Sequence, residues 1–116
     1  MGVVGLQRVI VSVGDLDRAL RLYRDVLGLG VTARSGDLAR LDVPGSSTEL
    51  MLHQRPPTPG PAGVAISFRV GDVDAVTAAA EKAGATVVDA PEDQPWGERQ
   101  AVLTDPDGHV ICLIAV

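Results

Sequence analysis

The chain opens its regular pattern with VIVSV at 9–13, a short β-branched run that reads as a strand. Gly14-Asp15 follows, and Asp15 is placed to accept a hydrogen bond from a free backbone N–H in a first helical turn. Apolar residues then recur at Leu16, Ala19, Leu20, Tyr23, Val26 and Leu27, which predicts one helix with a single buried stripe. Gly28 suits the left-handed position after a helix end. Three strands are expected next, near 30–34, 38–43 and 48–53, the last two separated by the turn Asp42-Val43-Pro44-Gly45. The first half reads βαβββ.

RPPTPGPAG at 55–63 holds four prolines and two glycines, which suits a stiff extended connector rather than a central strand or a helix. After it the plan repeats. VAISFRV at 64–70 is a strand, and Gly71-Asp72 repeats the turn and cap. Val73, Val76, Ala80 and Ala83 give a helical stripe, and Gly84 repeats the stop. Strands are expected at 85–90, 98–106 and 109–116, with Asp105-Pro106-Asp107-Gly108 in the place of the earlier turn. Caps Asp15 and Asp72 lie 57 residues apart, Gly28 and Gly84 lie 56 apart, and Gly45 and Gly108 lie 63 apart. Each landmark alone is ordinary turn or cap chemistry. All three in one order favour a duplicated unit. The expected organisation is one domain, 1–116, made of modules at about 6–54 and 64–116 joined by the linker 55–63.

Composition narrows the function classes. A chain of 116 residues with 46% hydrophobic and 22% charged residues suits one packed domain. Net charge is −5, without a Lys/Arg cluster, so neither nucleic acid nor an anionic membrane is an expected partner. The start, MGVVGLQRVIVSV, lacks a charged leader region and the length of a spanning segment, so a cytoplasmic location is expected. Cys112 is the one cysteine, which leaves no internal disulfide.

The segments VGDLDRALRLYRDVLGLG, ISFRVGDVDAV and PWGERQAVLTDPDGHVI together resemble the vicinal oxygen chelate superfamily, the group of glyoxalases, bleomycin-resistance proteins and extradiol dioxygenases. The resemblance implies an α+β fold in which two βαβββ modules form a cup-shaped, curved mixed sheet. It also implies a homodimer. Members of the family hold a divalent metal through four inward-facing side chains, which serves as Lewis acid and template. The matching positions here are Arg8, Glu49, Ala65 and Cys112. Only Glu49 is a usual ligand. Arg8 carries no lone pair near neutral pH, Ala65 offers nothing, and Glu plus Cys is too few. A register one residue off brings Gln7 into the first position and only apolar residues into the third and fourth. His53 lies four residues past Glu49, about 13 Å along a strand and too far to share an ion. His53 and His109 read as surface residues. No metal and no cofactor are therefore expected.

Strand alternation places Arg8, Ile10 and Ser12, Glu49, Met51 and His53, Ala65, Ser67 and Arg69, and Cys112 and Ile114 on the cavity side. The mixture is mostly apolar with a few polar handles, as small-molecule sites are. Arg8 and Glu49 are expected to form an ion pair, the alternative being Arg8 in solvent and Glu49 at a rim. Trp96, in QPWGER, either stacks on a flat ligand or anchors its own loop. Arg99 either donates to a ligand oxygen or stays solvated. Cys112 reads most simply as a small buried hydrophobe. Asp15, Asp17, Asp72 and Asp74 are explained by helix caps and first-turn charge. The candidate ligand-binding residues are thus Arg8, Ser12, Glu49, Met51, His53, Ser67, Arg69, Trp96, Arg99 and Cys112.

The leading expectation is metal-independent binding of a small organic molecule, such as sequestration of an antibiotic or another metabolite. The alternatives are a lyase, isomerase or dioxygenase, either metal-free with Glu49 as general base or with an atypical metal site, and an interaction module with a filled cup.

Overall fold

The computed structural model describes residues 2, 4, 6–60 and 63–115. Contacts divide the chain into two units, Met1–Thr58 and Pro59–Val116. Residues 61 and 62 of the expected linker and Val116 of the expected last strand lie outside the described residues.

The first unit runs β1 (Arg8–Val13), α1 (Leu16–Leu20) with a π-helical continuation (Arg21–Val26), β2 (Gly30–Ser35), β3 (Leu38–Asp42) and β4 (Glu49–Gln54). The sheet order is β1-β4-β3-β2. β1 and β4 are parallel, and the other pairs are antiparallel. Asp15 caps α1, its carboxylate accepting from the Arg18 N–H at 2.9 Å. That bond satisfies one of the donors a helix start leaves unpaired.

The single expected helix is in fact two windings. From Arg21 the chain widens to a π-helix, and the Leu27 N–H reaches the carbonyl of Leu22, five residues back, at 2.9 Å. One extra residue per turn rotates the apolar stripe. Leu22 and Tyr23 become fully buried, while Val26 and Leu27 of the expected stripe are only partly covered. Gly28 then ends the segment at φ 77°, a conformation that a side chain with a Cβ resists.

One face of the first sheet packs under this helix. Val11, Val13, Ala39, Leu41, Leu50 and Leu52 of the strands, with Leu16, Leu20, Leu22 and Tyr23, form its buried core. Each buried Leu contributes about 1.5–3 kcal/mol by leaving water. Residues of opposite parity point to the other, open face.

The second unit repeats the plan as β5 (Ile66–Val70), α2 (Val73–Lys82), β6 (Thr86–Asp93), β7 (Arg99–Thr104) and β8 (Val110–Ala115), in sheet order β5-β8-β7-β6. Asp72 caps α2 by accepting from the Ala75 N–H at 3.0 Å. Its buried face is Val73, Thr77 and Ala80, so Thr77 takes a place the apolar count assigns to Val76. β6 runs three residues past its expected end and includes Pro91, which an edge strand tolerates because one side of its ladder is unused. β7 stops at Thr104 because Asp105 turns to tie the next loop. Its carboxylate accepts from the N–H groups of Asp107 and His109 at 3.0 and 2.9 Å. Both modules are βαβββ with a four-stranded mixed sheet, the α+β architecture expected from the repeat.

Candidate functional site

Register brings the charged residues of the first unit together. In the parallel β1–β4 pair Arg8 stands opposite Glu49, Ile10 opposite Met51 and Ser12 opposite His53. In the antiparallel β3–β4 pair Leu38 stands opposite His53, Arg40 opposite Met51 and Asp42 opposite Glu49. Paired residues share a face of a sheet. These nine side chains therefore line the face opposite the helix. Strand starts are held by short bonds: the Thr48 hydroxyl donates to the Leu6 carbonyl at 2.6 Å, and the Glu49 N–H to the Gln7 carbonyl at 3.1 Å.

Glu49 is the centre of the group. Arg8 Nε donates to its Oε1 at 2.6 Å. Arg40 donates from Nε to both carboxylate oxygens, at 3.2 and 3.1 Å, and from a terminal nitrogen to Oε2 at 2.9 Å. The Glu49 side chain is 17% exposed, against 33% for Arg8 and 47% for Arg40. Hydrogen bonds from Arg40 above all, and from Arg8 after them, hold the Glu49 carboxyl below its ordinary value of 4.5, against the desolvation that raises it. The Arg8–Glu49 pair expected from the matched ligand positions is present, and Arg40 is a third member that reading only two strands per module overlooks. The alternation Leu38-Ala39-Arg40-Leu41-Asp42 carried the signal, since Ala39 and Leu41 are buried and Arg40 therefore faces the other way. A bulge in β2 at Thr32, whose hydroxyl donates to the Arg40 carbonyl at 3.3 Å, braces that stretch of β3.

Further along the same face, Ser12 accepts from Arg55 Nε at 2.7 Å. Arg55 follows β4, and its N–H also bonds the Val13 carbonyl at 2.9 Å, so the chain leaving β4 stays tied to β1. Met51 and His53 are part-exposed between these polar ends, and Ile10 is 51% exposed. An open depression of about 300 Å³ lies against Val4, Leu6, Gln7 and Ser47, and none of the Arg8, Arg40 and Glu49 side chains is among its described lining.

In the second unit, Ser67 is opposite Cys112 and Arg69 opposite Ile114, again on the face away from the helix. Ala65 precedes β5, so the two positions matched to metal ligands in this module do not stand opposite each other as Arg8 and Glu49 do. Burial pushes the Cys112 thiol above its ordinary value of 9.0. Arg99 lies apart from Ser67 and Cys112. Its strand parity is that of buried Ala101 and Leu103, on the helix side. There it donates to both oxygens of Asp74 on α2 at 2.8 and 2.9 Å, and to Asp93 at 3.1 Å. These bonds, Asp74 first, raise the Arg99 guanidinium above its ordinary value. Trp96 is 61% exposed in the turn before β7, its indole N–H donating to Glu98 at 2.7 Å.

A divalent ion needs several lone pairs converging on one point. Arg8 supplies none, both oxygens of Glu49 are engaged by guanidinium groups, Ala65 has no donor, and Cys112 favours its protonated form. Among the described residues no three His, Cys, Asp or Glu side chains gather to hold an ion. The donor set does not fit a metal of the kind the resemblance implies.

Comparison with known proteins agrees with this architecture. The chain shares 35% identity over 102 residues with the "Putative glyoxylase CFP32" of Mycobacterium bovis, covering 84% of this chain and 39% of that one. An uncharacterized protein of the same organism is 52% identical over 54 residues, 47% of this chain and 36% of its own. The chain thus spans little more than a third of the length of these curated relatives. Among solved structures, TnmS3, an antibiotic binding protein from Streptomyces sp. CB03234, is 32% identical with a TM-score of 0.74, covering 99% of this chain and 98% of that one. A glyoxalase-related enzyme from Fulvimarina pelagi superposes with a TM-score of 0.85 at 17% identity, covering 98% of this chain and 89% of that one, a likeness of fold alone. Residues 5–113 match the family profile, and the chain belongs to the Glyoxalase/Bleomycin resistance protein/Dioxygenase superfamily.

Proposed function

We propose that this protein binds a small organic molecule without a metal ion, on the open face of its first sheet, and holds it without chemical change. The observation that carries the reading is the state of Glu49. A carboxylate bonded by two guanidinium groups and held below its ordinary value is a weak base and a poor metal ligand. The same group leaves arginine donors beside an exposed apolar side chain, Ile10, which is the composition of a recognition surface. Likeness to an antibiotic binding protein over almost the whole chain supports sequestration as the purpose of the binding. The homodimer implied by the family resemblance and the cytoplasmic location expected from the sequence belong to the same proposal.

The test is ligand-observed NMR on a panel of small apolar and amphiphilic compounds, followed by recovery of each bound compound. The expected result is saturable binding, bound compound recovered unchanged, and affinity indifferent to added zinc, nickel, manganese or iron(II). Stoichiometric metal that is lost in Glu49→Ala, or turnover that is lost in Glu49→Gln, would replace this reading with the lyase, isomerase or dioxygenase alternative.

A further inference from the structure

We infer that the molecule held on this face is an organic monoanion, its oxyanion gripped by Arg8 and Arg40 and its apolar body lying on Ile10 and Met51. The inference rests on the small-molecule reading above and names the chemistry of the ligand.

Charge balance is the first support. The bonded group of Arg8, Arg40 and Glu49 has two cations and one anion. Other arginine ion pairs of the described residues balance differently: Arg24 meets Asp25, Arg34 meets Asp17, and Arg99 meets both Asp74 and Asp93. Over the whole face Arg8 and Arg40 stand with Glu49 and Asp42, and Arg55, bonded to Ser12, leaves one cation in excess in a protein of net charge −5. Donor count is the second support. Arg8 gives only Nε to Glu49, and Arg40 gives Nε and one terminal nitrogen. The guanidinium group carries five N–H donors in a planar fork suited to carboxylate or phosphate oxygens. Among the described residues, both terminal nitrogens of Arg8 and one of Arg40 have no hydrogen-bond partner.

Glu49 has a defined part in this arrangement. It pins two long side chains that otherwise sample many rotamers, so less order is lost when the ligand arrives. Asp42, exposed and registered beside Glu49, is the remaining carboxylate at this end of the face. Its charge sets a limit, favouring a ligand with one negative charge over one with two. Next to the cations, Ile10 and Met51 stand opposite each other and offer an apolar floor. From Arg8 to Ser12 the strand advances about 13 Å, which limits the ligand body to the size of a small aryl or alkyl acid.

The experiment compares 4-phenylbutyrate with 4-phenylbutyramide, equal in shape and different in charge, by heteronuclear NMR titration of the intact chain. The carboxylate is expected to bind roughly tenfold tighter than the amide, with that preference weakening as salt is raised. Arg40→Gln removes the preference, Arg40→Lys keeps part of it, and Glu49→Gln strengthens carboxylate binding because the two guanidinium groups then lose the carboxylate bonded to both. Thermal melts of each variant show that the fold persists, and the salt titration of the unaltered chain tests the claim without any variant. Equal affinity for acid and amide overturns the anion inference and leaves the small-molecule reading standing. Binding of neither compound up to millimolar concentration overturns both. Loss of carboxylate binding in Glu49→Gln, with Arg40→Gln unaffected, assigns the grip to Glu49 and refutes the inference.

Discussion

The assignment of side chains to two faces of β4 makes a quantitative demand. Leu52 is fully buried under the helix, and Met51, one residue before it, points to the open face and is part-exposed. Leu52→Ala removes a buried side chain that the packed strand and helix cannot fully close over. Such changes cost about 2.7–5.0 kcal/mol, the larger values where the cavity persists. Leu52 lies between Ala39 of β3 and Val11 of β1, both buried. Neither neighbour is large enough to swing into the space, so a cost of about 3 kcal/mol is expected. Met51→Ala shortens a side chain that already meets water, and about 1 kcal/mol or less is expected. For a chain of 116 residues each kcal/mol shifts the melting temperature by about 4 °C, which separates the two variants by roughly 8 °C. Circular dichroism melts, with urea titration to check that the m-value is unchanged, provide the measurement. Equal losses for the two variants would refute the reasoning. That result requires either a covered open face or a one-residue register slip, which moves every side chain of β4 to the opposite face.

Three further outcomes follow from the same geometry. Glu49 has a folded pKa below its ordinary 4.5, so the unfolded chain binds more protons in that window; the contribution of the group to stability is complete above 4.5 and is lost as pH falls through the folded value. A carboxyl-detected NMR titration should give a midpoint below 4.5, raised more by Arg40→Gln than by Arg8→Gln; an order reversed would remove Arg40 from its leading place. Gly28→Ala should cost about 1–2 kcal/mol through its φ of 77°, since nothing lies within 4 Å of an added Cβ, whereas Gly30→Ala, with equal space and no positive φ, should show no comparable backbone penalty in the same denaturation assay. Arg99→Gln should leave affinity at the first sheet's open face unchanged, because Arg99 donates to Asp74 and Asp93 on the helix side of the other sheet; a loss matching that of Arg40→Gln in the NMR titration would contradict this placement.

Strands, caps and turns were legible because each rests on a local rule. Asp15 and Asp72 are short acceptors ahead of apolar runs, and both accept the N–H three residues on. Gly28, Gly45 and Gly108 all have positive φ, as turn and helix-end chemistry requires. The π-helical turn was not legible. Its apolar residues Tyr23, Val26 and Leu27 fit an α-helix by spacing alone, and that spacing does not reveal the burial of Leu22 in the wider winding. Thr77 was missed on α2 for a similar reason: packing geometry, rather than side-chain polarity, decides which residue turns inward. Of the site, the Arg8–Glu49 pair was expected from the family resemblance, which places both residues at ligand positions of the first module. Arg40 required the β3–β4 register, which depends on the length of the turn between them. Arg55 lies in the proline-rich stretch, where no periodicity predicts that it reaches back to Ser12.

The two halves show where constraint lies. The repeated residues are those whose backbone role admits few alternatives: an aspartate that caps, a glycine at positive φ, and an aspartate and proline that shape the turn. The open faces have no such requirement and differ completely. Glu49 of the first sheet stands opposite Arg8, whereas Cys112, its counterpart four residues past the turn glycine, stands opposite Ser67 and not the Ala65 that matches Arg8. A coordination sphere would require several of these positions to carry donors at once, and loss of one would relax the demand on the others. Two guanidinium groups sharing one carboxylate need only three side chains in register, and the first sheet brings Arg8, Arg40 and Glu49 together in that way.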